Sequence, residues 1–555
     1  MHASAQHSVH DVIIMGGGLA GLTLALQLRQ ALPELKILIL ERRAHPVPEA
    51  AHKVGESSVE IAANYFDTVL GLQDHLRDHQ LRKFGFRFFF SEAHEHINQV
   101  LELGASHHLS TPSYQIDRGI FENFLGGRAR QQGVQFLDGA VIRKFSLSQT
   151  GEPHSVEFEF DGSSLTASGR WLIDASGRAG LIKKHLALAL DNGHQANAAW
   201  FRLATRLDVN DWSDDTAWLQ RCTPPDRWLS TNHLVGPGYW AWLIPLSSGS
   251  HSVGIVADSR LHPSQQLDSF EKTLSWLDTH QPQLARAVRK QRDRLQDFAY
   301  LRSFSYGCKQ VFSAQRWALT GESGVFLDPF YSPGGDFIAI ANTYITDLVV
   351  QDFSGKAFGK YAAIYERFFF SFYESTLTLF RDQYPMFGNT GVFPIKVIWD
   401  YTYYWGVLCQ LFFQRRLTDI AGLGRLRAEM TGAVKLNGAM QDFLRAWALA
   451  DPGSNRASMI DQASLDWFAR LNAGLRDDLD DVQFAERLRS TTTLLQALAS
   501  EIVAAAQASC TTLDSVTIRA MLHIPSGMPS GVPLLSGVLP PHKRRAMSKT
   551  EAVLP

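Results

Sequence analysis

The chain has little of what marks a secreted, metal-binding, nucleic-acid-binding or membrane-spanning protein. It has only four cysteines in 555 residues and no C-x-x-C pair, which indicates neither a disulfide framework nor a zinc site and favours a cytoplasmic location. A formal net charge of −2 gives no electrostatic basis for binding nucleic acid. The most apolar later stretch, residues 397–413, contains Asp400 and Gln410 and is too short for a transmembrane segment.

The first motif that is present is a glycine-rich turn. Residues 11–21 read D-V-I-I-M-G-G-G-L-A-G, so an apolar strand leads into G-x-G-x-x-G. Gly16 allows the tight turn, Gly18 lets the backbone approach a pyrophosphate, and Gly21 lets the following helix pack on the strand, with Ala20 inside the fingerprint. The helix N-terminus supplies free N–H groups for the phosphates.

The segments after the turn complete a nucleotide-binding pattern. An amphipathic stretch, residues 22–32, is followed by a second apolar strand, residues 36–40, and then by Glu41. That acid stands about twenty residues past the glycines, where it can accept the ribose hydroxyls of an adenosine. Strand, helix, second strand and acid in this order predict a nucleotide site.

The order of later elements predicts an α/β fold. A nucleotide-binding domain of residues 10–185 and 300–352 is interrupted by an inserted, substrate-side antiparallel sheet of residues 186–299. A C-terminal helical region, residues 353–523, carries an unusual aromatic load and forms either an aromatic core or the wall of a pocket. Residues 524–555, rich in Pro, Gly and Ser, predict a flexible tail.

Two further segments have both an ordinary and a functional interpretation. Gly55-Glu56-Ser57 precedes a helix over residues 59–70, so its polar groups either cap that helix or face a cofactor. Lys83 lies near the start of a strand over residues 81–90 and is either a solvated side chain or a functional amine.

Several motifs together carry a family resemblance. The opening turn, Asp117-Arg118 before a helix, the turn at Asp174 and the Gly321-Glu322 turn resemble the FAD-binding framework of aromatic hydroxylases, which implies a Rossmann-like FAD-binding fold. The sequence W-A-W-L-I-P, residues 240–245, resembles the W-x-W-x-I-P of flavin-dependent halogenases.

The resemblance covers residues 10–350 and implies a two-site reaction. Reduced FAD, oxygen and halide would yield hypohalous acid, which passes through a tunnel to Lys83 beside the substrate. Trp240 and Trp242 would keep the substrate away from the flavin. Pro333, Gly334 and Gly335 lie where the family binds halide near the flavin, and only the glycines have N–H groups to donate. The resemblance implies that FAD contacts the residues Gly16, Gly18, Ala20, Gly21, Glu41, Gly55, Glu56, Ser57, Arg118, Asp174, Gly321 and Glu322.

The chain departs from the family pattern at two positions. Tyr331, after Phe330, stands where tryptophan-specific members carry a glutamate, so a phenolic or pyrrolic substrate, free or tethered to a carrier protein, is expected instead of free tryptophan. Glu322 replaces an aspartate that contacts the ribityl chain.

These motifs lead to a ranked set of hypotheses. The first is an FAD-dependent halogenase supplied with FADH2 by a separate reductase. The second is a monooxygenase or dehydrogenase of the same fold, in which Lys83 is only structural. The third is a flavin-binding subunit that positions a carrier-bound substrate without catalysis.

Overall fold

The computed structural model describes most of the chain. The described residues are 7–50, 55–451, 453, 455–510, 518, 522 and 533–539. Most of the predicted tail lies outside them.

Nineteen strands are present in the described residues. They are β1 (His7–Met15), β2 (Ile37–Glu41), β3 (Leu81–Arg82), β4 (Phe86–Phe89), β5 (Leu101–Gly104), β6 (Tyr114–Gln115), β7 (Gln135–Asp138), β8 (Val141–Ser146), β9 (His154–Phe160), β10 (Ser163–Asp174), β11 (Ala189–Leu190), β12 (Ala196–Leu203), β13 (Thr231–Gly236), β14 (Tyr239–Pro245), β15 (His251–Asp258), β16 (Leu295–Leu301), β17 (Gly307–Cys308), β18 (Trp317–Leu319) and β19 (Ser458–Asp461).

Sixteen α-helices are present in the same residues. They are α1 (Leu19–Ala31), α2 (Glu60–Asn64), α3 (Gln73–His79), α4 (Arg118–Gln131), α5 (Leu181–His185), α6 (Thr216–Leu219), α7 (Phe270–His280), α8 (Pro282–Lys290), α9 (Gly334–Phe353), α10 (Gly359–Leu377), α11 (Phe393–Tyr403), α12 (Gln410–Phe413), α13 (Ile420–Arg425), α14 (Arg427–Ala450), α15 (Asp466–Ala473) and α16 (Asp481–Ser509). Two π-helical segments, Tyr65–Val69 and Tyr404–Cys409, continue α2 and α11.

The first sheet is the predicted nucleotide-binding sheet. Its order is β7-β2-β1-β10-β9-β8, with β18 also paired to β10, and β7, β2, β1, β10 and β18 run parallel. The apolar run of β1 is buried at every position from Val12 to Met15, as a parallel strand covered on both faces requires. Because Met15 pairs with Asp174, the turns that follow β1 and β10 lie side by side.

The second sheet extends beyond the predicted insertion. Its order is β16-β12-β15-β14-β13-β4-β5-β19. Strands β12 to β16 come from the predicted segment, but β4 and β5 come from residues assigned to the nucleotide domain, and β19 comes from the helical region. The sequence did not reveal this mixing, because the pairing of β4 with β13 joins segments about 145 residues apart in the chain.

The described part of the C-terminal region is helical except for the strand β19. The apolar stretch over residues 397–413 forms most of α11, the π-helical segment Tyr404–Cys409 and α12. Residues 533–539 of the predicted flexible tail pack on this region, where Leu535 is buried and Glu501 accepts the N–H of Leu534 at 2.9 Å. In the described ranges, no helix combines the length and apolarity needed to cross a membrane.

Candidate active site

The glycine turn between β1 and α1 has no room for side chains. Gly16 has φ +117°, and a Cβ there would lie 2.3 Å from the carbonyl oxygen of Ala175, in the turn after β10. A Cβ on Gly21 would lie 2.1 Å from the Gly16 oxygen. Gly18 is the N-cap of α1 and provides no side chain to bond the first N–H groups, so these remain for a ligand.

Glu41 is fixed to this turn by backbone donors. Its Oε2 accepts the N–H of Gly17 at 2.7 Å and its Oε1 accepts the N–H of Arg43 at 2.9 Å. Each carboxylate oxygen retains capacity for another donor, so ribose hydroxyls can still bind. Gly17 is not among the residues predicted to contact the cofactor. It must nevertheless be glycine, because a Cβ there would lie 2.7 Å from Glu41 Cβ.

A large cavity of about 650 Å³ extends from this turn to the tryptophan strand. Its size suits a dinucleotide, with phosphate donors at one end and an aromatic wall at the other. Its walls include the predicted residues Gly16, Gly18, Ala20, Glu41, Gly55, Glu56, Ser57, Arg118, Trp240, Trp242, Gly321, Glu322, Pro333, Gly334 and Gly335. We call it the flavin cavity.

Two predicted cofactor residues lie behind the cavity wall. Gly21 packs under the turn, and Asp174 is fully buried. The Asp174 carboxylate accepts the N–H groups of Ser176 at 3.0 Å and Ile182 at 2.7 Å, and burial raises its pKa. Asp174 therefore shapes the turn after β10 and does not line the flavin cavity. The sequence signal could not distinguish a carboxylate that binds the cofactor from one that binds its own turn.

Two charged residues of the cavity wall are engaged in ion pairs. Glu56 lies 2.6 Å from Arg202 in a buried pair that ties the segment before α2 to β12, and burial raises the Glu56 pKa despite that pair. Arg118 donates to Glu122 at 2.6 Å within α4.

Two basic residues near Glu322, Arg178 and Lys183, are not among those predicted from the sequence. Arg178 lies 3.9 Å from Glu322 and lines the flavin cavity, while the Lys183 ammonium lies 3.8 Å from the centre of the Tyr306 ring. Burial lowers the pKa of Lys183 to about 8. Arg178 directly follows the turn after Asp174 in the sequence, and this position could have indicated that its side chain lies near the cofactor.

The tryptophan strand β14 presents both indoles to the flavin cavity. The ring centres of Trp240 and Trp242 are 5.5 Å apart. Trp240 donates from Nε1 to Tyr384 Oη at 2.8 Å, and Trp242 donates to Ser252 Oγ at 3.1 Å. The two rings are packed and oriented, so they form a fixed wall.

Lys83 lies between β3 and β4 and is not solvated. Its side chain is buried, and Nζ donates to Ser57 Oγ at 2.9 Å and to the carbonyl oxygen of Ser58 at 3.0 Å. Nζ also lies 3.4 Å from the centre of the Phe86 ring. Burial lowers the Lys83 pKa well below its usual value, although the charges of two nearby carboxylates oppose this shift.

The serines before α2 do not cap it. The N-cap is Val59, which makes no side-chain cap, and the first-turn N–H groups of Ile61 and Ala62 instead donate to Tyr404 Oη at 3.2 Å and Asp336 Oδ1 at 2.9 Å. Ser57 Oγ instead contacts Lys83 and Thr231, while Ser58 Oγ bonds the backbone of Tyr114. The capping interpretation is therefore wrong, and Ser57 lies in the flavin-cavity wall.

A second, narrow cavity of about 50 Å³ is lined by Phe86, whose ring the Lys83 amine contacts. Pro333 and Phe337 line both cavities. Most of the remaining wall comes from the C-terminal region and includes the aromatic residues Phe372, Phe380, Tyr401, Tyr403 and Tyr404. The aromatic load of that region therefore forms both a core and a pocket wall. We call it the aromatic cavity.

Phe330 and Tyr331 connect the two sites. Phe330 is buried, with its ring centre 5.1 Å from that of Trp240 and 4.3 Å from that of Tyr331. Tyr331 has φ +62°, lines the aromatic cavity and donates from Oη to Asp400 Oδ2 at 3.0 Å. Tyr331 is not among the residues that line the flavin cavity.

The fold and this cavity define a protein with a Rossmann-like dinucleotide-binding domain, and residues 14–102 match the NAD(P)-binding Rossmann-like domain family. The tryptophan halogenase family matches residues 90–376, just over half of the chain. The chain belongs to that family, which confirms the resemblance.

Known proteins agree with this assignment. The flavin-dependent halogenase chlA of Dictyostelium discoideum is 26% identical over 459 residues, covering 74% of this chain and 73% of the relative. The 1H-pyrrole-2-carbonyl-(peptidyl-carrier protein) brominase of Pseudoalteromonas luteoviolacea is 22% identical over 62% of this chain and 78% of its own length. Halogenase PltM in complex with phloroglucinol and FAD has the same fold, with a TM-score of 0.60 and 16% identity over 88% of this chain and 96% of that one.

Proposed function

We propose that the protein is an FAD-dependent halogenase that uses FADH2, oxygen and halide to halogenate an electron-rich aromatic compound through hypohalous acid directed by Lys83. The observation that carries this proposal is the position of Lys83. Its amine contacts Ser57, in the wall of the flavin cavity, and Phe86, in the wall of the aromatic cavity.

The residues of the flavin cavity fit FAD. The Gly16–Gly18 turn and the start of α1 would hold the pyrophosphate, Glu41 the ribose, and Arg118 and Glu322 the remaining polar groups. When bound and reduced, FAD would supply two electrons to oxygen, which thereby becomes able to oxidise halide to hypohalous acid. A separate flavin reductase would deliver it in that state.

The halide would bind at the start of α9. Gly334 and Gly335 are the first residues of this helix, both line the flavin cavity, and Pro333 at the N-cap offers no donor. Free N–H groups and the helix dipole favour a small anion there.

Lys83 would receive the oxidant and present it to the substrate. The lowered pKa favours the neutral amine, which has a lone pair to bind halogen, and the Ser57 and Ser58 oxygens fix its direction. The substrate would bind in the aromatic cavity, and the rings of Trp240 and Phe330 would separate it from the flavin.

The expected substrate is a phenol or a pyrrole, free or tethered to a carrier protein. Tyr331 in place of a glutamate supports this choice, and the brominase named above acts on a carrier-bound pyrrole.

The proposal is tested by supplying the protein with a flavin reductase, FAD, NADH, oxygen and bromide, and a panel of phenols and pyrroles, free and carrier-loaded. Mass spectrometry should find the bromine isotope doublet in a product. A product that gains one oxygen and no bromine would instead establish the hydroxylase alternative.

A further inference from the structure

The aromatic cavity contains two buried carboxylates in very different environments. Its walls include Asp336, in the first turn of α9, and Asp400, in α11. Among its described lining residues there is no lysine, arginine or histidine, so the cavity suits a neutral hydroxyl-bearing ring better than an anionic ligand.

Asp400 is fully occupied by neighbours. Its Oδ2 accepts from Lys396 Nζ at 2.7 Å and from Tyr331 Oη at 3.0 Å, and its Oδ1 accepts from Gln441 at 2.8 Å. Lys396 is also fully buried, and its positive charge offsets the negative charge of Asp400. Burial raises the pKa of Asp400 while Lys396, Gln441 and Tyr331 oppose the rise, and its oxygens already accept from these three donors, which leaves little capacity for a substrate hydroxyl.

Asp336 has no such counter-ion. Its Oδ1 accepts the N–H of Ala62 at 2.9 Å and its Oδ2 accepts from Tyr404 Oη at 2.7 Å, and in the described part of the chain no cation lies within ion-pair distance. It shares its surroundings with Lys83, whose amine lies against the same cavity wall.

We propose that Asp336 is the base that accepts the hydroxyl proton of a phenolic substrate bound in the aromatic cavity. This inference rests on the proposed function and specifies its substrate class and a second catalytic residue. The observations that carry it are the position of Asp336 in the cavity wall, the absence of a paired cation and the contrast with Asp400.

The proton balance of the step is simple. The phenol O–H proton moves to Asp336, its electron pair enters the ring, a ring carbon bonds to halogen, and the O–halogen bond of hypohalous acid breaks to leave hydroxide. The proton on that ring carbon then joins hydroxide to form water, and Asp336 returns its proton to the phenolic oxygen. Phenol and hypohalous acid thus give halophenol and water.

The electrostatic setting agrees with this role. Burial raises the pKa of Asp336 to about 8, with Glu60 on α2 adding to the shift, while Tyr404, Ala62 and Lys83 oppose it. Cys409, on the π-helical segment, and Tyr404 are the other titratable groups that respond to this carboxylate, and burial keeps both protonated. A base with a pKa near the working pH transfers protons most efficiently.

The test compares Asp336→Asn and Tyr404→Phe with the wild type, measuring halogenated phenol per hypohalous acid formed across a pH series. Asparagine preserves the shape of the side chain but cannot accept the proton. We expect Asp336→Asn to give roughly a 100-fold lower yield and to lack the rise in yield that the wild type shows as pH increases through about 8. Tyr404→Phe removes a donor that lowers the Asp336 pKa, so the rise should move to higher pH. The O-methyl ether of the substrate lacks the proton and should be indifferent to Asp336→Asn.

A spectroscopic reading keeps this inference separate from the proposed function. An infrared band of a protonated carboxyl group should disappear in the wild type as pH rises through about 8 and should be missing in Asp336→Asn. If no hypohalous acid forms, the proposed function fails, and the infrared titration still shows whether Asp336 takes up a proton near pH 8, as the inference requires. An unchanged yield and pH profile in Asp336→Asn, or the same infrared titration in both proteins, overturns the inference.

Discussion

At the scale of single residues, Lys83 shows how burial favours the neutral form of an amine. Its amine has two oxygen acceptors and a ring face, and in the described ranges no carboxylate lies within ion-pair distance of it. Loss of water without a compensating ion pair favours the neutral amine. The sequence places a lysine here but cannot show that Ser57 and Phe86 surround it.

Ser57→Ala and Ser58→Ala form a matched pair that tests how this amine is positioned. Ser57→Ala removes the Oγ that Lys83 bonds, whereas Ser58→Ala leaves its contact, a backbone carbonyl oxygen, in place. A hydrogen bond of about 1.4 kcal/mol corresponds to a tenfold rate effect. We therefore expect a roughly tenfold lower yield of halogenated product per hypohalous acid for Ser57→Ala and a smaller effect for Ser58→Ala. Equal yields in the two variants would contradict this positioning role.

At the scale of elements, the turn between β1 and α1 requires glycine at position 16 for both space and backbone conformation. A methyl group on Gly16 would meet the Ala175 oxygen and would also hold an unfavourable φ of +117°. Gly16→Ala should lose FAD binding, measured as flavin retained on the purified protein. Gly127→Ala is the control, because a Cβ there has open space in helix α4, and it should retain flavin. A yellow Gly16→Ala protein would refute the assigned role of the turn.

The pair formed by Lys396 and Asp400 fixes α11 against the aromatic cavity. Asp400→Ala leaves a buried ammonium without its partner and should reduce the free energy of unfolding by roughly 3–5 kcal/mol. The double variant Lys396→Met with Asp400→Leu removes both charges and should recover most of that loss. Denaturant unfolding measures both variants. Equal stability of the single and double variants would show that the pair carries no such coupling.

The sequence predicted those elements whose signals are local. The β1 turn, Glu41 and the β14 tryptophans all depend on short motifs, and each forms the expected local structure. The second sheet could not be foreseen in full, because β4 and β19 join it through distant pairings. Asp400 and Asp336 could not be linked to one cavity either, since α9 and α11 meet only in the folded chain.

At the scale of the whole molecule, α9 carries two buried aspartates, Asp336 and Asp352, whose contributions to stability change with pH in opposite directions. The Asp336 pKa is about 8 in the folded protein against an unfolded value of about 4, so stability falls as pH rises through that window. The Asp352 pKa is lowered by hydrogen bonds from Arg316 and Arg170 that outweigh burial, so its contribution is present above the unfolded pKa. Asp336→Asn should therefore flatten the decline of Tm between about pH 5 and pH 8, whereas Asp352→Asn should lower Tm at neutral pH. Parallel Tm profiles for Asp336→Asn and the wild type would contradict this account.

The whole account depends on two cavities whose walls the Lys83 amine contacts, one through Ser57 and the other through Phe86. The most direct test is to measure hypohalous acid and halogenated phenol separately in the wild type and in Lys83→Met, which keeps a long side chain but lacks the amine. With reductase, FAD, NADH, oxygen and bromide supplied, we predict that Lys83→Met still releases hypohalous acid but yields no enzyme-directed bromophenol. Bromophenol formed at the same rate and ring position as in the wild type would contradict the account.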